Sequence, residues 1–124
     1  MKKSTIKNKL DTIVGKIVRA RGKCERIGFG CERKSNVLQC CHINSRKYNL
    51  TRWDLDNLLC LCAVCHSHFH DHPLELGDFV KKVKGEIIWE NLQEVYKSQT
   101  KYTTNDLEIK LKILQDLADK KENL

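Results

Sequence analysis

The sequence predicts a small α+β protein in which helices flank a short Cys- and His-rich centre. Three observations predict it: an amphipathic apolar repeat near the N-terminus, a dense metal-ligand cluster in the middle, and regular apolar repeats after Pro73. The cluster, CCHINSRKYNLTRWDLDNLLCLCAVCHSHFH, places five cysteines and four histidines within the 31 residues from Cys40 to His70. A chain of 124 residues has room for one domain with a modest core, so a metal staple would help it fold.

In the N-terminal repeat, Ile6, Leu10, Ile13, Val14, Ile17 and Val18 fall on one helical face. Lys7, Lys9, Lys16 and Arg19 take the polar face, and Gly22 is the expected stop. The segment KCERIGFGCERKSN reads as an irregular loop, and residues 37–41 as a short strand. RKYNLTRWDLDN reads as loop, with aromatics among basic groups. From Asn57 to Phe69 the apolar spacing suits a short helix, which Pro73 ends or redirects. Phe79, Val80 and Val83 mark a helix closed by Gly85, and Ile88, Leu92, Val95 and Tyr96 another. Leu107, Leu111, Leu114, Leu117 and Ala118 mark the last, with Asn105 and Glu108 as its capping box. The organisation expected is a basic helix over 1–22, a metal-braced core over 23–73 and a helical extension over 74–124, packed as one compact unit.

Charge is unevenly spread. Residues 1–34 carry 11 Lys/Arg against 3 Asp/Glu, whereas residues 35–124 carry 12 against 13. A basic arm leading into a Cys-rich centre points to a polyanionic partner, with nucleic acid the usual one; the plainer reading is a solvated basic helix. The segment MKKSTIKNKLDTIVGK lacks the apolar stretch of a signal peptide, and no run approaches the roughly 18 apolar residues of a membrane span. A cytoplasmic, membrane-free protein is the expectation, and closely spaced cysteines there bind metal more often than they form disulfides.

Cys62-Ala-Val-Cys65 is a CxxC pair, whose sulfurs can face one tetrahedral ion. Cys24 and Cys31 are the best candidates to complete a structural zinc site, because two glycines between them let the loop fold back. The alternative is that either is a buried free thiol. Cys60, among leucines, reads as core. Cys40 and Cys41 stay open, and either could replace a member of the four.

On a helix, His66 and His70 at i and i+4 share a face and can bind one ion. His42 closes the strand, Asn57 follows 15 residues later, and His66 nine after that. Taken alone, His42 could be a core histidine or a zinc ligand, and Asn57 a helix cap.

Together, CCHI at 40–43, DNLLCLC at 56–62 and CAVCH at 62–66 resemble the HNH endonucleases, whose ββα-metal core is often braced by a four-Cys zinc. The resemblance covers roughly residues 24–72, and HINSR, TRWDLDN and LCAVCH look most similar to phage recombination proteins of the NinG type. It implies a metal-dependent endonuclease acting on DNA phosphodiesters, branched or nicked substrates included, in the host cytoplasm. His42 would be the general base, Asn57 the residue that orients it, and His66, His70 and Cys41 the ligands of a catalytic Mg²⁺, Mn²⁺ or Zn²⁺. Cys41 stands where many members carry Asp; either a thiolate there favours a transition metal over Mg²⁺, or Cys41 makes no contact and His66 with His70 hold the ion. Arg46, Lys47 and Arg52 would contact DNA, Tyr48 and Trp53 could stack on bases, with packing against the core the alternative for Trp53, and a homodimer would suit a branched substrate. Two rivals are a zinc-stabilised module that binds nucleic acid without cutting it and a degenerate HNH scaffold.

Overall fold

A computed structural model describes residues 1–95 and 98–122. Helix α1 (Lys3–Arg19) leads into the Cys24–Cys31 loop and strand β1 (Leu38–His42). Helix α2 (Asn49–Arg52) and a 3₁₀ turn (Leu55–Asn57) connect to strand β2 (Leu58–Cys62), which runs directly into α3 (Ala63–Asp71). Helices α4 (Pro73–Lys84), α5 (Glu86–Val95) and α6 (Thr104–Glu122) complete the chain. The result is a mainly helical α+β domain around one antiparallel strand pair, in the order ββα at its centre.

The strand pair divides the interior. Its register places Cys40 opposite Cys60, Cys41 opposite Leu59 and His42 opposite Leu58. Successive strand residues face opposite sides. Leu58 and Cys60 join Ile6, Leu10, Ile17, Val18 and Trp53 under α1 and α6, while Leu59, Leu61 and Cys41 join Cys24, Cys65, Phe69 and Phe79 under α3 and α4. Both faces of β2 are therefore covered, and all five of its residues are buried.

That burial explains a correction to the helix expected from Asn57 to Phe69. The run Leu58–Cys62 is apolar throughout, so its periodicity does not separate strand from helix; pairing with β1 decides for strand. The helix starts only after Cys62, whose Sγ accepts from the Cys65 N–H at 3.5 Å as its cap. RKYNLTRWDLDN, expected as loop, contains α2 and the 3₁₀ turn. The last helix is capped two residues earlier than expected: Thr103 N donates to Asp106 Oδ2 at 2.9 Å, and Asp106 N to Thr103 Oγ1 at 3.1 Å. Gly85 closes α4 with φ +93°, as its position suggested. Tyr96 lies outside the described residues. Among the described residues, no helix is long and apolar enough to cross a membrane.

Candidate metal centre and histidine cleft

The Cys24–Cys31 loop folds back on itself through Gly28 and Gly30, both at positive φ that side-chain-bearing residues rarely adopt. Glu25 then locks the loop to β2: its N–H donates to Cys60 O at 2.8 Å, and its Oε2 accepts from Cys60 N at 2.7 Å. Cys62 ends β2 and Cys65 sits in the first turn of α3. These local structures bring the donor sulfurs of Cys24, Cys31, Cys62 and Cys65 within 4.8 Å of one another. A tetrahedral zinc with bonds of about 2.3 Å needs sulfurs about 3.8 Å apart. The Cys31–Cys62 separation is 4.0 Å, so the set fits a zinc ion with little movement.

The surroundings act on these sulfurs in opposite directions. Arg33 N approaches Cys31 Sγ at 3.4 Å, and Arg26 Nη1 approaches Cys65 Sγ at 3.7 Å. Burial raises the thiol pKa of Cys24 and Cys65. Burial acts the same way on Cys62, but hydrogen bonds from the Cys65 N–H and the neighbouring thiols outweigh it and hold Cys62 below the ordinary thiol value. A bound dication would draw off the remaining protons, as zinc does with thiols generally. The chemistry of this centre is structural: an all-cysteine, closed coordination set.

On the other side of β1 lies a cleft of about 610 Å³ lined by His42, His66 and His70 together with Asp11, Arg19 and Arg46. His42 Nε2 lies 3.0 Å from the carbonyl oxygen of Arg52. A carbonyl only accepts, so Nε2 carries the hydrogen and Nδ1 keeps its lone pair. Burial lowers the His42 pKa, which keeps the ring neutral at physiological pH. His66 Nδ1 faces Gln39 Oε1 at 2.8 Å, so Nδ1 is the donor there and Nε2 is left as a potential ligand. Its pKa is lowered by burial and then by the charge of His70.

Asn57 is fully buried and clamps the chain just after His42. Its Oδ1 accepts from Asn44 N at 2.7 Å and its Nδ2 donates to Asn44 O at 3.0 Å, while Ile43 N donates to Asn57 O at 2.8 Å. Asn44 in turn donates its side-chain N–H to Leu92 O at 2.9 Å, tying the clamp to α5. Asn57 is thus a loop clamp, and the 3₁₀ turn is capped by Asp54 instead.

Three expected roles change. Cys41 packs in the core with Cys24, Leu59 and Cys65, and burial pushes its thiol up to about 12. It does not line the cleft; Cys40, one residue earlier and on the opposite face, does. Arg52 is not free for phosphate, because Nε and Nη2 donate to Asp11 at 3.0 and 2.6 Å. Arg46 donates to the same carboxylate at 2.9 Å, and Trp53, buried, gives its Nε1–H to Asp11 at 2.9 Å. Lys47 is exposed beside the Tyr48 ring. Asp11 therefore organises the whole loop, a role hidden in the sequence because one carboxylate on a basic helix resembles any surface acid.

Among the described residues, the four cysteines are the one set of three or more potential ligands whose donor atoms converge; His66, His70 and Cys41 do not form such a set. No family model, curated protein or solved structure matches the chain.

Proposed function

We propose that this protein is a zinc-braced ββα nuclease that hydrolyses nucleic-acid phosphodiesters in the histidine cleft. The observation that carries the reading is the orientation of His42. Its Nε2–H is held by the Arg52 carbonyl, and the following turn is held by Asn57, so Nδ1 remains the basic atom beside the cleft. In this reading Nδ1 takes a proton from the attacking water. A divalent ion held by His66, with His70 on the same helix face, supplies Lewis-acid stabilisation of the phosphate when bound. The HNH resemblance of CCHI, DNLLCLC and CAVCH agrees with these roles, and DNA is the substrate that it suggests.

A second reading is favoured by a specific observation: the cysteines converge and the histidines do not. The protein is then a zinc-stabilised module that binds nucleic acid without cutting it, or an HNH scaffold that has lost its activity. The metal centre taken by itself supports this simpler role more directly.

Supercoiled plasmid separates the two. Wild type and His42→Ala, matched for folding, are compared with Mg²⁺, Mn²⁺, Zn²⁺ or EDTA. Metal-dependent nicking by wild type alone supports the nuclease. Binding without nicking by either protein, branched DNA included, supports the second reading. Equal nicking by both removes His42 from the base role.

A further inference from the structure

We propose that Arg19, at the C-terminal end of α1, is the phosphate contact of the cleft, seated there by the absence of a side chain at Gly15. Three observations converge on it. Arg19 and Gly15 both line the cleft beside His42, His66 and His70. Arg46 and Arg52 are already held by Asp11, whereas the Arg19 guanidinium has no carboxylate partner among the described residues. Gly15 lies inside a helix, where glycine is a poor choice, and a Cβ built there would come within 2.8 Å of Arg19 Nη1.

The geometry follows from helix direction. Side chains lean toward the N-terminus, so a residue at i+4 covers the position at i. Arg19 lies back over Gly15 at the edge of the cleft, where it is exposed to solvent. A planar guanidinium with its donors unspent suits a phosphate oxygen pair. The ligand class is a nucleic-acid backbone phosphate. The inference rests on nucleic-acid binding, common to the nuclease and the binding-module readings above, and not on catalysis.

The test measures binding of a labelled DNA duplex by the zinc-loaded full chain, in a His42→Ala background that prevents cutting, across a salt series. Arg19→Ala should weaken binding roughly five- to tenfold near 0.1 M salt and lower the salt slope by about 0.9. Lys82→Ala, which removes the same charge from α4 outside the cleft, should leave the slope unchanged. Gly15→Ala should raise Tm yet weaken binding, because the new methyl unseats Arg19. An unchanged slope for Arg19→Ala, or equal losses for Arg19→Ala and Lys82→Ala, overturns the assignment while leaving the nucleic-acid reading in place. Wild-type affinity in Gly15→Ala overturns the seat. Failure of the parent protein to bind any duplex or single strand overturns the assignment and the nucleic-acid reading together.

Discussion

The cysteine centre and the histidine cleft lie at the same strand pair and are built on opposite plans. In the centre, four sulfurs from one loop, a strand end and a helix turn converge to within 4.8 Å, and three of the four cysteines are buried. In the cleft, each oriented histidine is held from behind by an acceptor, Arg52 O or Gln39 Oε1, and the groups stay apart around about 610 Å³ of open space. A closed set spends its donors on one ion and holds the fold; an open set keeps its donors for something that arrives. The comparison teaches that ligand chemistry alone does not assign a role, since convergence distinguishes the brace from the cleft.

The comparison breaks most visibly at the brace. Cys65→Ser should lose bound zinc and cooperative unfolding together, because structural zinc contributes on the order of 10 kcal/mol to folding in small metal domains. Metal analysis and circular dichroism check it; a folded, zinc-loaded Cys65→Ser would remove Cys65 from the centre. Chelation of the wild type should produce the same unfolded spectrum.

Asn57→Ala comes next. It leaves the buried N–H and C=O of Asn44 without partners, each worth about 1–3 kcal/mol. Urea unfolding should therefore show a loss of about 2–5 kcal/mol while zinc is retained. A loss below 1 kcal/mol would mean that Asn57 is no clamp.

Asp11→Asn should cost about 1–3 kcal/mol at neutral pH, since it weakens a partly buried carboxylate's bonds to Arg52, Trp53 and Arg46. Burial opposes ionisation of Asp11, but hydrogen bonds from Arg52 and Trp53 and the two arginine charges prevail and hold its pKa below 3.8. A depressed pKa stabilises the fold above the unfolded value and ceases to do so as pH falls through the folded one. The gap in Tm between wild type and Asp11→Asn should thus be full at pH 6 and shrink below about pH 4. A pH-independent gap would show that the charge of Asp11 does not carry the effect.

His42→Ala should change stability least, by under about 1 kcal/mol, because it removes one half-buried ring and one bond to a backbone carbonyl. Under the proposed nuclease reading, its large effect is expected on nicking alone. A collapse of the fold would place His42 with the brace.

Much of this division was legible in residue types and spacing. CxxC and the glycine-bearing Cys24–Cys31 loop marked the brace because a tetrahedral ion needs those reaches. Spacing singled out His42, Asn57 and His66; the structure puts His42 and His66 on one cleft and Asn57 in the turn after His42, an arrangement that spacing alone does not give. Strand parity was the hidden variable for Cys40 and Cys41: neighbours in a strand part company, and only the register with Cys60 and Leu59 says which goes where. Long-range pairing was hidden too. Asp11 meets Arg52 across 41 residues, and no local pattern encodes that contact. Leu58–Cys62 was misread for the related reason that burial on both faces erases alternation.

The most direct test of the two-plan account is zinc content after exhaustive dialysis, measured for wild type, His66→Ala/His70→Ala and Cys62→Ser/Cys65→Ser. The account predicts about one zinc per chain in wild type and in the histidine variant, and none in the cysteine variant. Loss of that zinc from the histidine variant, or its persistence without Cys62 and Cys65, would contradict it.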